Sequence, residues 1–200
     1  MAATSSKGDK RPEPTPGRRL LPHELEALFA ANLHHVRAFV RLRIDAVTRS
    51  REAASDIVQS ACREVLASES FEFRGEAAFR SYLCEAALHK IQARRQYWLT
   101  DKRDPERERP GEPADSDLRK VYRTTLFDPM RKAIRDEEIA RLEAAFDELP
   151  EQYREALTLY RIVGVSLSDL AARLGRTKGA TKMLLNRAMA RLTSVLKRLE

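Results

Sequence analysis

The most constraining stretch of the chain is residues 166–192, SLSDLAARLGRTKGATKMLLNRAMARL, in which one glycine separates two segments of helical periodicity. Ser166, with Asp169 three residues on, supplies oxygens that can hold the free amides of a helix start. Leu167, Leu170, Ala171 and Leu174 then recur at helical spacing. Gly175 can take the left-handed conformation that closes a helix, and after Arg176 the Thr177 hydroxyl can cap a second one. Two helices joined so closely must cross. The second repeats Ala180, Leu184, Ala188 and Leu192, with Val195, Leu196 and Leu199 continuing the apolar stripe.

Its other face is basic. Between Arg176 and Arg198 stand Lys178, Lys182, Arg187, Arg191 and Lys197, and no Asp or Glu at all. A merely solvated helix usually mixes charge signs, because opposite charges one turn apart support it; a face of one sign points to a polyanion. This is the helix-turn-helix pattern, in which the second helix enters the major groove. Thr177, Lys178, Thr181, Lys182 and Asn186 are then the expected base readers, with Arg176 and Arg187 nearer the phosphates. Gly179 and Ala180 would let the backbone approach DNA closely. The alternative is an ordinary helical hairpin with a basic outer face.

Charged residues make up 34% of the 200 residues, hydrophobic ones 42%, and there are only 7 glycines, which predicts an all-α fold with apolar content for one large or two small domains. The net charge of +7 is unevenly spread: +2 over residues 1–83, +3 over 84–103, −4 over 104–150 and +6 over 151–200. Two basic blocks flanking an acidic one suggest two nucleic-acid contacts joined by a spacer. No apolar run approaches the roughly 20 residues of a membrane helix, and the start of the chain lacks a signal peptide's apolar core, so a cytoplasmic protein is expected.

The predicted organisation is a disordered tail over 1–19, a helical domain over 20–99, an acidic linker over 100–135 and a helix-turn-helix domain over 136–200. In the first domain, Leu25, Leu28, Phe29, Val36, Phe39, Val40 and Val47 trace one face of a long helix over 22–47. A second helix, 51–68, turns Ala54, Ile57, Val58, Ala61, Val65 and Leu66 inward and Glu52, Asp56, Gln59, Arg63 and Glu64 outward, a mixed face that fits plain solvation or a partner. Phe71 and Phe73 lead through Arg74, Gly75 and Glu76 into a third helix, packed by Phe79, Tyr82, Leu83, Ala86, Ala87 and Ile91.

Toward its end that helix interleaves His89, Lys90, Gln92, Arg94, Arg95, Gln96, Tyr97 and Trp98. Cations hold a backbone while flat rings offer stacking faces to unpaired bases, the combination single-strand binding asks for. Cations favoured by the helix dipole, with Trp98 folded back as core, explain the same residues. Beyond the linker, a short amphipathic piece over 118–127 precedes a helix over 130–148 with Ile134, Ile139, Leu142, Ala145 and Phe146. Pro150 opens another that runs to Gly164. Cys62 and Cys84 lack the spacing of zinc or redox sites and read as buried free thiols; His34 and His35 are adjacent and make a poor metal pair. No metal, cofactor or catalytic residue is expected: the carboxylates are dispersed and no glycine-rich phosphate loop is present.

Three stretches together resemble the sigma factors of bacterial RNA polymerase, of the small two-domain extracytoplasmic-function (ECF) type. SDIVQSACREVL, 55–66, is similar to the acidic-leucine-valine-glutamine signature of region 2; FRGEAAFRSYL, 73–83, to the following turn and helix; and residues 149–192 to region 4 along its length. The resemblance implies that core RNA polymerase docks on Asp56, Gln59, Arg63 and Glu64. It implies that the end of the third helix, with His89, Lys90, Arg94, Arg95, Tyr97 and Trp98, captures an unstacked minus-10 base and helps melt promoter DNA. It implies that region 4 reads the minus-35 element and that the acidic linker threads toward the polymerase active centre. An anti-sigma partner is typical of the family, though no residue here identifies one. His89 and Ala93 stand where many members have an asparagine and an aspartate, and Tyr82 replaces a common tryptophan. The linker also looks longer than usual. The expected function is therefore a non-catalytic promoter-specificity subunit. A stand-alone helix-turn-helix regulator, which needs only the C-terminal domain, is the alternative.

Overall fold

A computed structural model describes residues 20–68, 72–100, 116–126 and 136–199. The tail over 1–19 and the linker stretches 101–115 and 127–135 lie outside the described residues, as do Phe71, Phe127, Met130 and Ile134. Every regular element described is helical: α1 Pro22–Arg43, α2 Ala46–Arg51, α3 Ala54–Ala67, α4 Glu76–Thr100, α5 Ser116–Thr125, α6 Asp136–Asp147, α7 Glu151–Leu157 continuing into a π-helical turn Thr158–Val163, α8 Leu167–Arg173 and α9 Lys178–Arg198.

Local chemistry sets most boundaries. Pro22 opens α1, where its missing N–H costs nothing, and the Leu21 amide donates to Glu24 Oε2 at 2.9 Å. The expected helix over 22–47 breaks after Arg43, because Asp45 caps a separate short helix by accepting from the Thr48 amide at 2.9 Å. The helix opened at Pro150 widens at Thr158, whose hydroxyl donates to the Arg154 carbonyl at 2.8 Å, a side-chain bond of the kind that bends helices. Gly164, at φ +82°, ends the wide turn.

The largest departure from the sequence reading concerns α1. One apolar face was expected, yet Val36, Ala38, Phe39, Val40 and Leu42 are all buried, too many neighbours for a single stripe. α1 is a central post: α3, α4, α5, α6, α7 and the π turn all pack against it. The two helical halves therefore share one continuous core rather than standing apart, and α5, part of the expected linker, closes over α1 with Leu118, Val121 and the fully buried Tyr122. Each large apolar side chain so buried contributes on the order of 1.5–3 kcal/mol before entropy is counted.

Ion pairs line the junction. Arg41 holds Glu143 through two bonds of 2.6 and 3.2 Å, with both side chains 12% exposed, and Tyr122 donates its hydroxyl to the same carboxylate at 3.4 Å. Burial, then the Glu143 charge, pushes the Tyr122 phenol well above its ordinary value, so it stays a donor. Arg49 holds Asp147 at 2.6 and 3.2 Å, and Arg43 meets Glu151 at 2.7 Å. Desolvation lowers the Arg43 pKa, an effect that Glu151 opposes.

Three residues assigned inward are outside: Val47 is 44% exposed, Leu66 56% and Tyr82 37%. Val47 belongs to the separate short helix α2, and Leu66 lines the open groove beside α1. Cys84 is buried, which raises its thiol pKa; Cys62 is only half-buried, and burial raises it also. Among the described residues, no helix is long and apolar enough to cross a membrane and no group of three or more residues is placed to hold a metal ion.

Candidate nucleic-acid interface

The turn between α8 and α9 forms as its residues dictate. Ser166 Oγ accepts from the Asp169 amide at 3.1 Å and donates to the Asp169 carboxylate at 2.6 Å. At the other end of α8, Gly175 lies at φ +61°, the Gly175 amide reaches the Ala172 carbonyl at 3.2 Å and the Arg176 amide reaches Ala171 at 2.9 Å. That pair of bonds is a Schellman closure, which requires the left-handed residue glycine supplies. Two residues later Thr177 Oγ1 accepts from the Ala180 amide at 3.2 Å and starts α9.

Leu184, Leu185, Ala188, Leu192 and Val195 anchor α9 in the core, and the helix packs on α6, α7 and α8. Arg176, Thr177, Lys178, Lys182, Asn186 and Arg187 are all exposed on its N-terminal half. Among the described residues, none of the four cations in that group has an acidic partner. Gly179 has open space where a Cβ would stand, and Ala180, assigned to the apolar stripe, is exposed as well.

Thr181 departs from expectation: it is fully buried and donates its hydroxyl to the Thr177 carbonyl at 3.0 Å, so it supports the helix start instead of facing a groove. Met183, 56% exposed beside Lys182, is an apolar residue on the outer face that the helical pattern does not single out. Its one available signal was that it falls off the Leu184–Ala188–Leu192 stripe.

The end of α4 is built differently. His89, Arg94, Arg95 and Tyr97 are exposed and Lys90 and Trp98 half-buried, but the cations are matched by acids from α3 and from the two ends of α2. Lys90 pairs with Glu64, Arg94 with Glu52 at 3.2 Å and Arg95 with Asp45 at 3.8 Å. Trp98 donates its indole N–H to Glu52 at 3.2 Å, stands edge-to-face with Tyr97 at 4.8 Å and lies beneath the Arg51 guanidinium at 5.8 Å. The aromatic pair is neither swallowed by the core nor loose. The contributions of Asp45, Arg51 and Glu52 were not legible in advance, because no local pattern ties them to the end of another helix.

On α3, Asp56, Gln59 and Arg63 are exposed along one face, with Arg63 donating to Gln59 at 3.3 Å. Glu64, grouped with them by sequence, turns toward α4 to meet Lys90. Beside Gln59 a groove of about 510 Å3 opens between α1 and α3, lined by Leu25, Phe29, Leu33, Val58, Cys62 and Leu66.

Fold and site together define a helical protein whose C-terminal part is a helix-turn-helix with an exposed basic second helix. Residues 139–192 match the family described as Sigma-70, region 4, and so include the whole turn, the N-terminal half of α9 and the helices that brace them. The chain is also similar to the ECF RNA polymerase sigma factor SigD of Mycobacterium bovis and of Mycobacterium tuberculosis, at 29% identity over 156 residues, covering 77% of this chain and 68% of the relative. The similarity is thus too long to be confined to the region 4 match.

Proposed function

We propose that this protein is an ECF-type sigma factor: it binds core RNA polymerase, directs it to promoters and helps open the DNA, with no catalysis of its own. The observation that carries the reading is the exposed, acid-free start of α9 inside the region 4 match, which suits a major groove and its phosphates. In this reading Thr177, Lys178, Lys182 and Asn186 meet base edges of the minus-35 element, and Arg176 and Arg187 hold the backbone; Thr181 is left with a structural role. The end of α4, with His89, Lys90, Arg94, Arg95, Tyr97 and Trp98, takes the melted minus-10 strand by cation contact and stacking. Asp56, Gln59 and Arg63 form the polymerase face, with Glu64 at its margin.

The test is transcription by purified core enzyme supplemented with this protein. Initiation at a defined start site is the expected result; absence of any complex with core polymerase ends the proposal. Tight binding of the isolated chain to a symmetric duplex would favour a stand-alone regulator instead.

A further inference from the structure

Resting on the opened-strand reading of the α4 end, we infer that Glu52 is a positioning residue that presents Trp98 and Arg94 to the unpaired strand. Glu52 sits at the C-terminal cap of α2, its backbone extended and its amide bonded to the Thr48 carbonyl at 2.9 Å, with only 16% of its side chain exposed. One carboxylate oxygen accepts from the Trp98 indole and the other faces Arg94 Nε, each at 3.2 Å. Arg51, the preceding residue, covers the Trp98 ring, and the Tyr97 ring stands nearly perpendicular to it. The indole is therefore fixed by contacts to its N–H, to its face and to the Tyr97 ring, and a guanidinium is held beside it.

An acid in that place is otherwise hard to explain. A carboxylate within a basic tract that must approach phosphate lowers affinity by direct repulsion and by neutralising a cation whose counterions would be released. Its presence makes sense where orientation matters more than charge. A tryptophan held in one rotamer spends no side-chain entropy when a base stacks on it, and an arginine held by one nitrogen still has further donors for a phosphate. α2 is itself held in place at both ends. Asp45 caps its start and reaches toward Arg95, while Arg49 ties the same short helix to Asp147 of α6.

The two explanations give effects of opposite sign, which makes the test direct. Core polymerase loaded with the full-length chain is titrated with promoter DNA carrying an unpaired minus-10 segment and, separately, with fully paired minus-35 duplex. Wild-type assemblies that do not prefer the unpaired substrate would end the opened-strand reading itself, before any variant is compared. With that preference present, Glu52→Ala is expected to weaken binding to the unpaired substrate about five- to tenfold, the scale of one or two lost polar contacts. Glu52→Gln, which keeps an acceptor for the indole, should recover part of the loss, and duplex binding should stay unchanged. Trp98 is the chain's one tryptophan, so its emission in the free protein should become easier to quench in Glu52→Ala. Equal or tighter binding of the unpaired substrate by Glu52→Ala overturns the inference, as does a loss unaccompanied by any change in Trp98 emission. Loss of duplex binding and thermal stability together would assign Glu52 to folding alone.

Discussion

The two basic helix ends are made of the same residue types and prepared in opposite ways. At the start of α9 the cations stand exposed with no acidic partner among the described residues, on a helix anchored by the apolar stripe beneath them. At the end of α4 Lys90, Arg94 and Arg95 each face an acid from α3 or from the ends of α2, and the aromatic pair is clamped. A duplex groove presents a dense, regular array of phosphates, so unpaired cations on a rigid helix gain most by releasing counterions. A melted strand is irregular and flexible, and binding it depends on where the stacking surfaces are; paired cations and a fixed ring suit such a strand. If the proposed function holds, the difference separates affinity by charge from recognition by position.

The largest expected effect tests what holds the two ends in fixed relation. Arg41→Ala strips Glu143 of a two-bond partner in a site only 12% exposed on either side. Breaking a buried pair on one side should cost about 3 kcal/mol or more, read as a lower midpoint in urea. Replacing both partners by apolar residues should recover much of it. If Arg41→Ala instead leaves the midpoint where it was, the halves are not locked through this pair.

Next come the cations themselves. Lys178→Ala or Lys182→Ala should weaken minus-35 duplex binding by about 1–3 kcal/mol where the lysine reads a base, and reduce the salt slope by about 1 where it holds a phosphate. Lys90→Ala should change the salt dependence of opened-strand binding less, since it leaves Glu64 bare and frees fewer counterions. Equal slopes at the two ends would erase the contrast between them. Thr177→Ala, which removes the cap on α9, should cost about 1 kcal/mol in thermal stability, with Thr177→Ser restoring most of it.

A further effect concerns a group belonging to neither end. Burial, then the charges of Arg80 and His34, lowers the His35 pKa from 6.5 to about 4. The unfolded chain therefore takes up a proton that the folded one refuses between those values, so stability falls as pH drops from about 6.5 toward 4 and is unaffected by this group above 6.5. Melting curves at pH 7 and pH 5 should differ less in His35→Gln than in the wild type.

How far each region could be read in advance follows from where its partners lie. The helix-turn-helix was legible to the residue: Ser166 and Thr177 cap amides three positions on, and Gly175 closes the turn within its own segment. Side-chain direction is the exception there, with Thr181 buried and Ala180 exposed, since both lie near the boundary between the buried and exposed faces. Around α4 the sequence showed the cations and rings but not the acids that order them; Glu52 is 46 residues from Trp98. The exposed polar face of α3 was legible as a pattern in Asp56, Gln59 and Arg63, yet Glu64 pairs with Lys90, a choice made by the packing of α3 on α4.

The amino-acid order alone determined the all-helical character, the caps, the glycine turn and the acid-free face, because each is decided by groups within about one helical turn of one another. Tertiary structure decided that α1 is buried on two sides, that α5 leaves the linker to cover it, and that Arg41 and Arg49 find acids 102 and 98 residues away. Such pairings depend on which surfaces meet once helices pack, and burial and charge then select partners that no local periodicity encodes.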